Sequence, residues 1–254
     1  MNRVKAILGM SAAILVTLTS YAAAQDCHKP GALGTTRTLS INPAAYPLVG
    51  KTQYQETLPL NSREVVLSFD DGPSAPYTEM ILDALSAECV KATFFVTGEN
   101  VADDPELVRR ISKEGHTIGT QAYNYASLVE MPFEEAKKQI DRGSKAVRDA
   151  LQNPRIAAPF FRAPMLDLTL ALQKLLLARG FMIWSIDVDS LDWAEPTEEQ
   201  LVENTIKKLE QVGKGIVLLH DAQPVTARAL PTLLAQLKLH NFRIVHMVPI
   251  DPER

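Results

Sequence analysis

Two adjacent carboxylates, Asp70 and Asp71, close a short run of β-forming residues in "VVLSFDDGPSAP" and are followed at once by Gly72 and Pro73. Neighbouring carboxylates repel, so leaving a strand on a pair of them is costly unless a cation lies between or beside them. A metal ion or an arginine would serve. Further along the chain, polar residues again follow β-rich runs. Gln121 and Tyr125 follow one such run, Arg162 ends another in "FFRAPM", and Asp189, Asp192 and Trp193 follow a third in "DVDSLDW". His220 and Asp221 close a fourth in "IVLLHD". A carboxylate to take a proton, an arginine to hold it ionised and a histidine to give a proton back are the parts of general acid–base hydrolysis.

Those parts need a frame that brings strand ends together. Apolar β-rich runs at 65–69, 92–96, 117–120, 159–162, 181–186, 216–219 and 243–248 alternate with helical patterns. The helical stretches are 77–86, 105–113, 133–151, 168–178, 198–212 and 227–239. Strand–helix alternation implies a parallel sheet with helices outside. Seven such units in under two hundred residues fit a single, distorted (β/α) barrel with about seven parallel strands. In such barrels the active site lies at the carboxyl ends of the strands, where every polar cluster above falls. The charged stretch at 134–149 reads as the wet face of an outer helix.

The full chain has 254 residues, 46% of them hydrophobic and 22% charged, enough for one large α/β domain with a substantial core. Residues 1–24 combine a basic start (Arg3, Lys5), an apolar middle and an Ala22-Ala23-Ala24 ending, the pattern of a secretory signal peptide. The alternative is an uncleaved membrane anchor. Cleavage after Ala24 takes two of the 26 basic residues and none of the 30 acidic ones, leaving 24 against 30, a net charge of −6. That balance argues against nucleic acid or an anionic membrane as partner. The expected location is secreted or periplasmic, with no stable membrane anchor after cleavage. Residues 25–62, rich in Gly, Pro, Thr and Asn, read as an irregular extension before a domain at 63–254. Export would permit a disulfide between Cys27 and Cys89, but two cysteines set no framework, and two free thiols fit equally well.

Taken together, "SFDDGP", "VKATFFVTG", "GHTIGT", "FRAP", "DSLDW" and "LLHD" resemble the motifs of the polysaccharide deacetylases of carbohydrate esterase family 4, which share the chitooligosaccharide deacetylase (nodulation-type) homology domain. The resemblance runs from about Arg63 to Val248. It implies N-deacetylation of N-acetylglucosamine-containing glycans, of chitooligosaccharide or peptidoglycan type. It implies Asp70 as general base, Asp71 as a ligand of a divalent metal, usually zinc, and Arg162 as the partner that orients Asp70. His220 would protonate the leaving amine, with Asp189 holding its imidazole. Trp193 and Leu218 would line the pocket for the acetyl methyl, and Met165, where an aromatic residue is common, would offer its backbone N–H to the oxyanion.

One part departs. The family places two histidines, four residues apart, in its second motif, and this chain has Gln121 and Tyr125 there. A catalytic zinc normally takes three protein ligands drawn from imidazole, carboxylate and thiolate. Deprotonating a tyrosine at pH 7 costs roughly 4 kcal/mol, three units at about 1.36 kcal/mol each. A neutral amide oxygen suits harder cations better than zinc. The other histidines, His28, His116, His240 and His246, have no ligand spacing to this motif. Two readings therefore stand: a metal-dependent deacetylase, and a non-catalytic glycan-binding protein that keeps the substrate groove.

Overall fold

The computed structural model describes residues 27, 29–153 and 157–250, so the expected signal segment at 1–24 lies outside the described residues. Every strand ladder is parallel. β1 (Thr35–Ile41) and β2 (Leu48–Val49) precede β3 (Glu64–Asp70), and then strand and helix alternate. The order is α1 (Tyr77–Ala87), β4 (Thr93–Val96), α2 (Gly98–Asp103), α3 (Pro105–Lys113), β5 (Thr117–Thr120), α4 (Phe133–Leu151) and β6 (Ala157–Phe161). After these come α5 (Leu170–Ala178), β7 (Met182–Trp184), β8 (Val188–Asp189), α6 (Glu198–Val212), β9 (Gly215–His220), α7 (Pro224–Leu239) and β10 (Arg243–Pro249).

Hydrogen bonding runs β9–β3–β4–β5–β6–β7 on one side and β9–β8 on the other. β7 and β8 belong to one stretch of chain, so the ring is broken only at residues 185–187. This is the distorted (β/α) barrel. The break is dressed by the N-terminal segment: Ser185 N–H donates to the Val49 carbonyl at 2.7 Å, and Thr52 N–H to the Ile186 carbonyl at 3.0 Å. Asp187 accepts from Lys51 N at 2.9 Å, Thr57 Oγ1 at 2.5 Å and Ile216 N at 2.8 Å.

This corrects the expectation that 25–62 is irregular. β1 pairs with β10 over its length and β2 with β7. The sequence signal is weak because β1 alternates half-buried and exposed positions and holds only one neighbour strand, so polar residues occupy much of it. The expected strands at 65–69, 117–120 and 216–219 match β3, β5 and β9 within two residues, whereas β8 and the short α2 fall outside the expected elements.

β3 is buried along its whole length, as a strand covered on both faces must be. Its period of two divides its side chains. Val65, Leu67 and Phe69 pack under the helices, while Val66 joins Phe95, Phe160, Trp184 and Ile216 inside the barrel. Ser68 and Asp70 continue that inner row toward the carboxyl end.

Cys27 and Cys89 form a disulfide across 62 positions, with Cα atoms 5.4 Å apart. Leu33 N–H also bonds Glu88 Oε2 at 2.7 Å, so the bond reinforces a segment already docked. Closing a loop of this length is worth up to about 4 kcal/mol of chain entropy. Changing both cysteines to serine should lower the urea midpoint, and dithiothreitol should have no further effect on that variant. An unchanged midpoint would show that β1 alone holds the segment.

Candidate active site

The carboxyl ends of β3 and β9 lie side by side, with Asp70 in register with His220. Both side chains therefore point to the same inner face of the barrel mouth. Arg162, directly after β6, is fully buried and donates through Nη1 to Asp70 Oδ1 at 2.6 Å and Ser68 Oγ at 2.8 Å. Its Nη2 reaches the Ser185 carbonyl at 3.2 Å, and its guanidinium lies 4.3 Å from the Phe95 ring centroid. Burial pushes Asp70 above the ordinary carboxylate range, against the pull of Arg162 and His220. The arginine is the cation that the first carboxylate requires.

Asp71 turns out of the strand in the left-handed region, φ 76°. The next residue has to be glycine: a Cβ on Gly72 would sit 2.0 Å from the buried carboxylate of Asp221. Thr78 Oγ1 donates to Asp221 Oδ2 at 2.7 Å, and burial brings Asp221 up to about 7. The Asp71 carboxylate meets Gln121 Nε2 at 3.1 Å through Oδ1 and His220 Nε2 at 3.8 Å through Oδ2. Burial, then the charge of Asp70, raises it to about 6. Gln121 is held there by close packing, since a Cβ on Gly143 of α4 would meet the Gln121 carbonyl and Ala122 at 2.7 Å.

Tyr125 donates its hydroxyl to the Asp71 main-chain oxygen at 2.6 Å. Asn100 Nδ2 donates to the same oxygen at 2.7 Å and to Tyr125 Oη at 3.1 Å. Burial, helped by the Asp71 charge, pushes the Tyr125 phenol up to about 12. It stays protonated.

His220 is oriented by Asp192, not by Asp189 as expected. Its ring Nδ1 lies 2.7 Å from Asp192 Oδ1, and its backbone N–H donates to Asp192 Oδ2 at 2.7 Å. Thr226 Oγ1 donates to the same Oδ2 at 2.6 Å. Burial is the largest influence on His220 and disfavours its charge, but the hydrogen bond and charge of Asp192, with Asp70 and Asp71, outweigh it and bring it to about 9. Asp189 instead accepts from Leu191 N at 2.9 Å and faces the indole Nε1 of Trp193 at 3.4 Å. Asp189 ends β8 and Asp192 lies just beyond it, and nothing in the local pattern chooses between them. Ser68, within "SFDDGP", and Asn100 help fix Arg162 and Asp71, roles that only the contacts reveal.

These groups line a cleft of about 460 Å³ whose floor is polar and whose wall includes Ala163, Met165, Leu166, Trp193 and Leu218. Trp193 and Met165 are exposed, and Leu218 is buried at the base. Met165, in the left-handed region at φ 56°, is exposed at the rim. His116 and His246 lie elsewhere, buried and held down to about 3 and about 4 by desolvation. His240 is paired with Glu210 at 3.1 Å, and His28 lies outside the described residues.

The polysaccharide deacetylase family model matches residues 58–183. A peptidoglycan-N-acetylglucosamine deacetylase of Bacillus cereus is 33% identical over 202 residues, 78% of this chain and 71% of the relative. The chain belongs to the polysaccharide deacetylase family. Another member, a chitooligosaccharide deacetylase of Bradyrhizobium, is 32% identical over 74% of this chain and 90% of its own. Among solved structures, a peptidoglycan deacetylase of Bdellovibrio bacteriovorus superposes with a TM-score of 0.78 at 29% identity, covering 89% of this chain and 63% of that one. A CE4 family pseudoenzyme from Bacillus anthracis shares the fold at a TM-score of 0.66 and 22% identity, over 75% and 64% of the two chains. The three deacetylases among them are named for peptidoglycan or chitooligosaccharide.

Members of this family use a metal ion, and the residues here do not fit one. Around Asp71 stand an amide whose N–H already donates to the carboxylate and a phenol that donates to the main chain. Among the described residues, no three His, Cys, Asp or Glu side chains are grouped as a metal site. One carboxylate, one amide and one protonated phenol are a poor donor set for zinc. What the cleft does offer is a carboxylate held by Arg162, an imidazolium held by Asp192, and an apolar wall.

Proposed function

We propose that this chain is an exported, non-catalytic member of the polysaccharide deacetylase family that binds amino-sugar glycans in the barrel-mouth cleft. The observation that carries this reading is the Gln121 Nε2 to Asp71 Oδ1 hydrogen bond at 3.1 Å: a donor faces the carboxylate where the family needs another acceptor. Export is supported by the 1–24 pattern and by the Cys27–Cys89 disulfide, which persists in oxidising compartments. Trp193 gives the cleft an exposed aromatic face, with its indole N–H anchored toward Asp189, suited to packing against a sugar ring. The described residues contain no helix long and apolar enough to cross a membrane.

A second reading, an active metal-dependent N-deacetylase, is favoured by the intact Asp70–Arg162 and His220–Asp192 pairs. Metal analysis of the purified protein, alongside acetate release from N-acetylglucosamine oligomers, separates the two. Substoichiometric metal, no acetate release, and calorimetric binding that weakens about tenfold in Trp193→Ala are expected, the last from loss of an aromatic contact worth about 1 kcal/mol or slightly more. Stoichiometric metal with turnover would overturn the non-catalytic reading.

A further inference from the structure

The cleft floor holds more carboxylates than cations. Asp70, Asp71 and Asp189 line it, and Asp192 lies directly behind His220. Against these four stand Arg162 and His220. Arg162 is committed to Asp70 at 2.6 Å, and His220 to Asp192 at 2.7 Å. The Asp71 carboxylate is left with a neutral amide at 3.1 Å and with His220 no nearer than 3.8 Å. Asp189 receives only N–H groups on its carboxylate, while Lys208 Nζ reaches its main-chain oxygen at 2.6 Å. That lysine offsets one of the two surplus charges at most.

A second, independent feature points the same way. Gln121, 1% exposed, lines the cleft with Nε2 spent on Asp71, while its buried Oε1 has no hydrogen-bond partner. A buried acceptor with nothing to accept is costly and asks for a donor. Flanking it, the Tyr125 ring is 41% exposed and pinned at its hydroxyl by Asp71 and Asn100. Aromatic faces beside a carboxylate attract cations.

Building on the glycan-binding function above, we propose that the cleft selects amino-sugar units carrying a free ammonium group, the de-N-acetylated form, over N-acetylated units. An ammonium presents three donors and one positive charge. It can pair with the Asp71 carboxylate, beside the Gln121 amide, and lie against Tyr125. An acetamido group presents one N–H, no charge and a carbonyl oxygen that the surplus carboxylates repel. The site thus reads the product of amide hydrolysis on the glycan.

Calorimetry on the full protein with glucosamine and N-acetylglucosamine oligomers of equal length, at near-neutral pH and low salt, tests this. The free-amine oligomer should bind about tenfold more tightly, an advantage that shrinks as salt rises. Asp71→Asn, which suits the left-handed backbone at this position, should abolish the preference by weakening the free-amine oligomer about tenfold. Asp83→Asn removes an exposed carboxylate on α1 and should leave the preference intact. Equal affinity for the two oligomers, or a preference unchanged in Asp71→Asn, would overturn this inference alone. Binding of neither oligomer would overturn the glycan-binding function with it.

Discussion

Changing Gln121 and Tyr125 together to histidine should build a zinc site around Asp71. Both side chains already converge on Asp71, Gln121 on its carboxylate at 3.1 Å and Tyr125 on its main-chain oxygen at 2.6 Å. Two imidazoles from these positions, with the Asp71 carboxylate, make the three-ligand set of a catalytic zinc. The substitution also removes the amide N–H that now faces Asp71 and the phenol held up to about 12. Purified double variant should retain about one zinc per chain after dialysis. Each single variant should retain little, because two protein ligands hold the ion weakly and effects at a shared site do not add. Acetate release from N-acetylglucosamine oligomers should appear only with the zinc. If the double variant binds zinc and remains inert, the loss of function lies elsewhere, with Met165 at the rim the first residue to change. If the native protein already holds stoichiometric zinc, the assignment of Gln121 and Tyr125 as non-ligands fails.

The second large effect concerns folding. Arg162→Met should cost on the order of 3–5 kcal/mol, because removing one partner of a buried ion pair leaves the other uncompensated. Asp70 is only 4% exposed, and the same guanidinium also serves Ser68 and the Ser185 carbonyl. For a chain of this size that corresponds to a fall in melting temperature of roughly 10 °C. The penalty depends on pH with a definite sign. Asp70 already titrates above its ordinary value through burial, and without Arg162 it rises further. The variant should therefore be least impaired in acid, where the carboxyl is neutral. Its penalty relative to the native protein should grow as pH rises through the native Asp70 value, itself above the ordinary carboxylate range, and level off above the still higher value of the variant. Adding Asp70→Leu to Arg162→Met should recover most of the loss. Urea titrations across pH would show both effects, and a pH-independent penalty would mean that packing on Phe95, not charge, is what Arg162 supplies.

Much of this molecule can be read from local pattern, since a strand buried on both faces and a helix over a barrel each leave a one-dimensional signature. β5, α3, α4 and α6 have the bounds that periodicity predicts, and the polar clusters after each strand mark the barrel mouth before any coordinates. The Gln121 and Tyr125 departure is likewise legible, because it is a matter of residue type at a motif position.

What the tertiary structure alone decides are contacts between parts of the chain whose approach no local pattern encodes. Asp189 and Asp192 are three residues apart, and their types are identical. Asp189 lies on β8 in register with Leu218, so its side chain faces the cleft near Trp193. The chain then turns through Leu191 at φ 61° into a short 3-10 turn, which drops Asp192 beneath His220, 28 positions away. The Cys27–Cys89 pairing spans 62 positions, and β1 exists because β10 offers it an edge. The surplus charge in the cleft is of the same kind: it depends on which carboxylate each cation reaches, and only the folded barrel settles that.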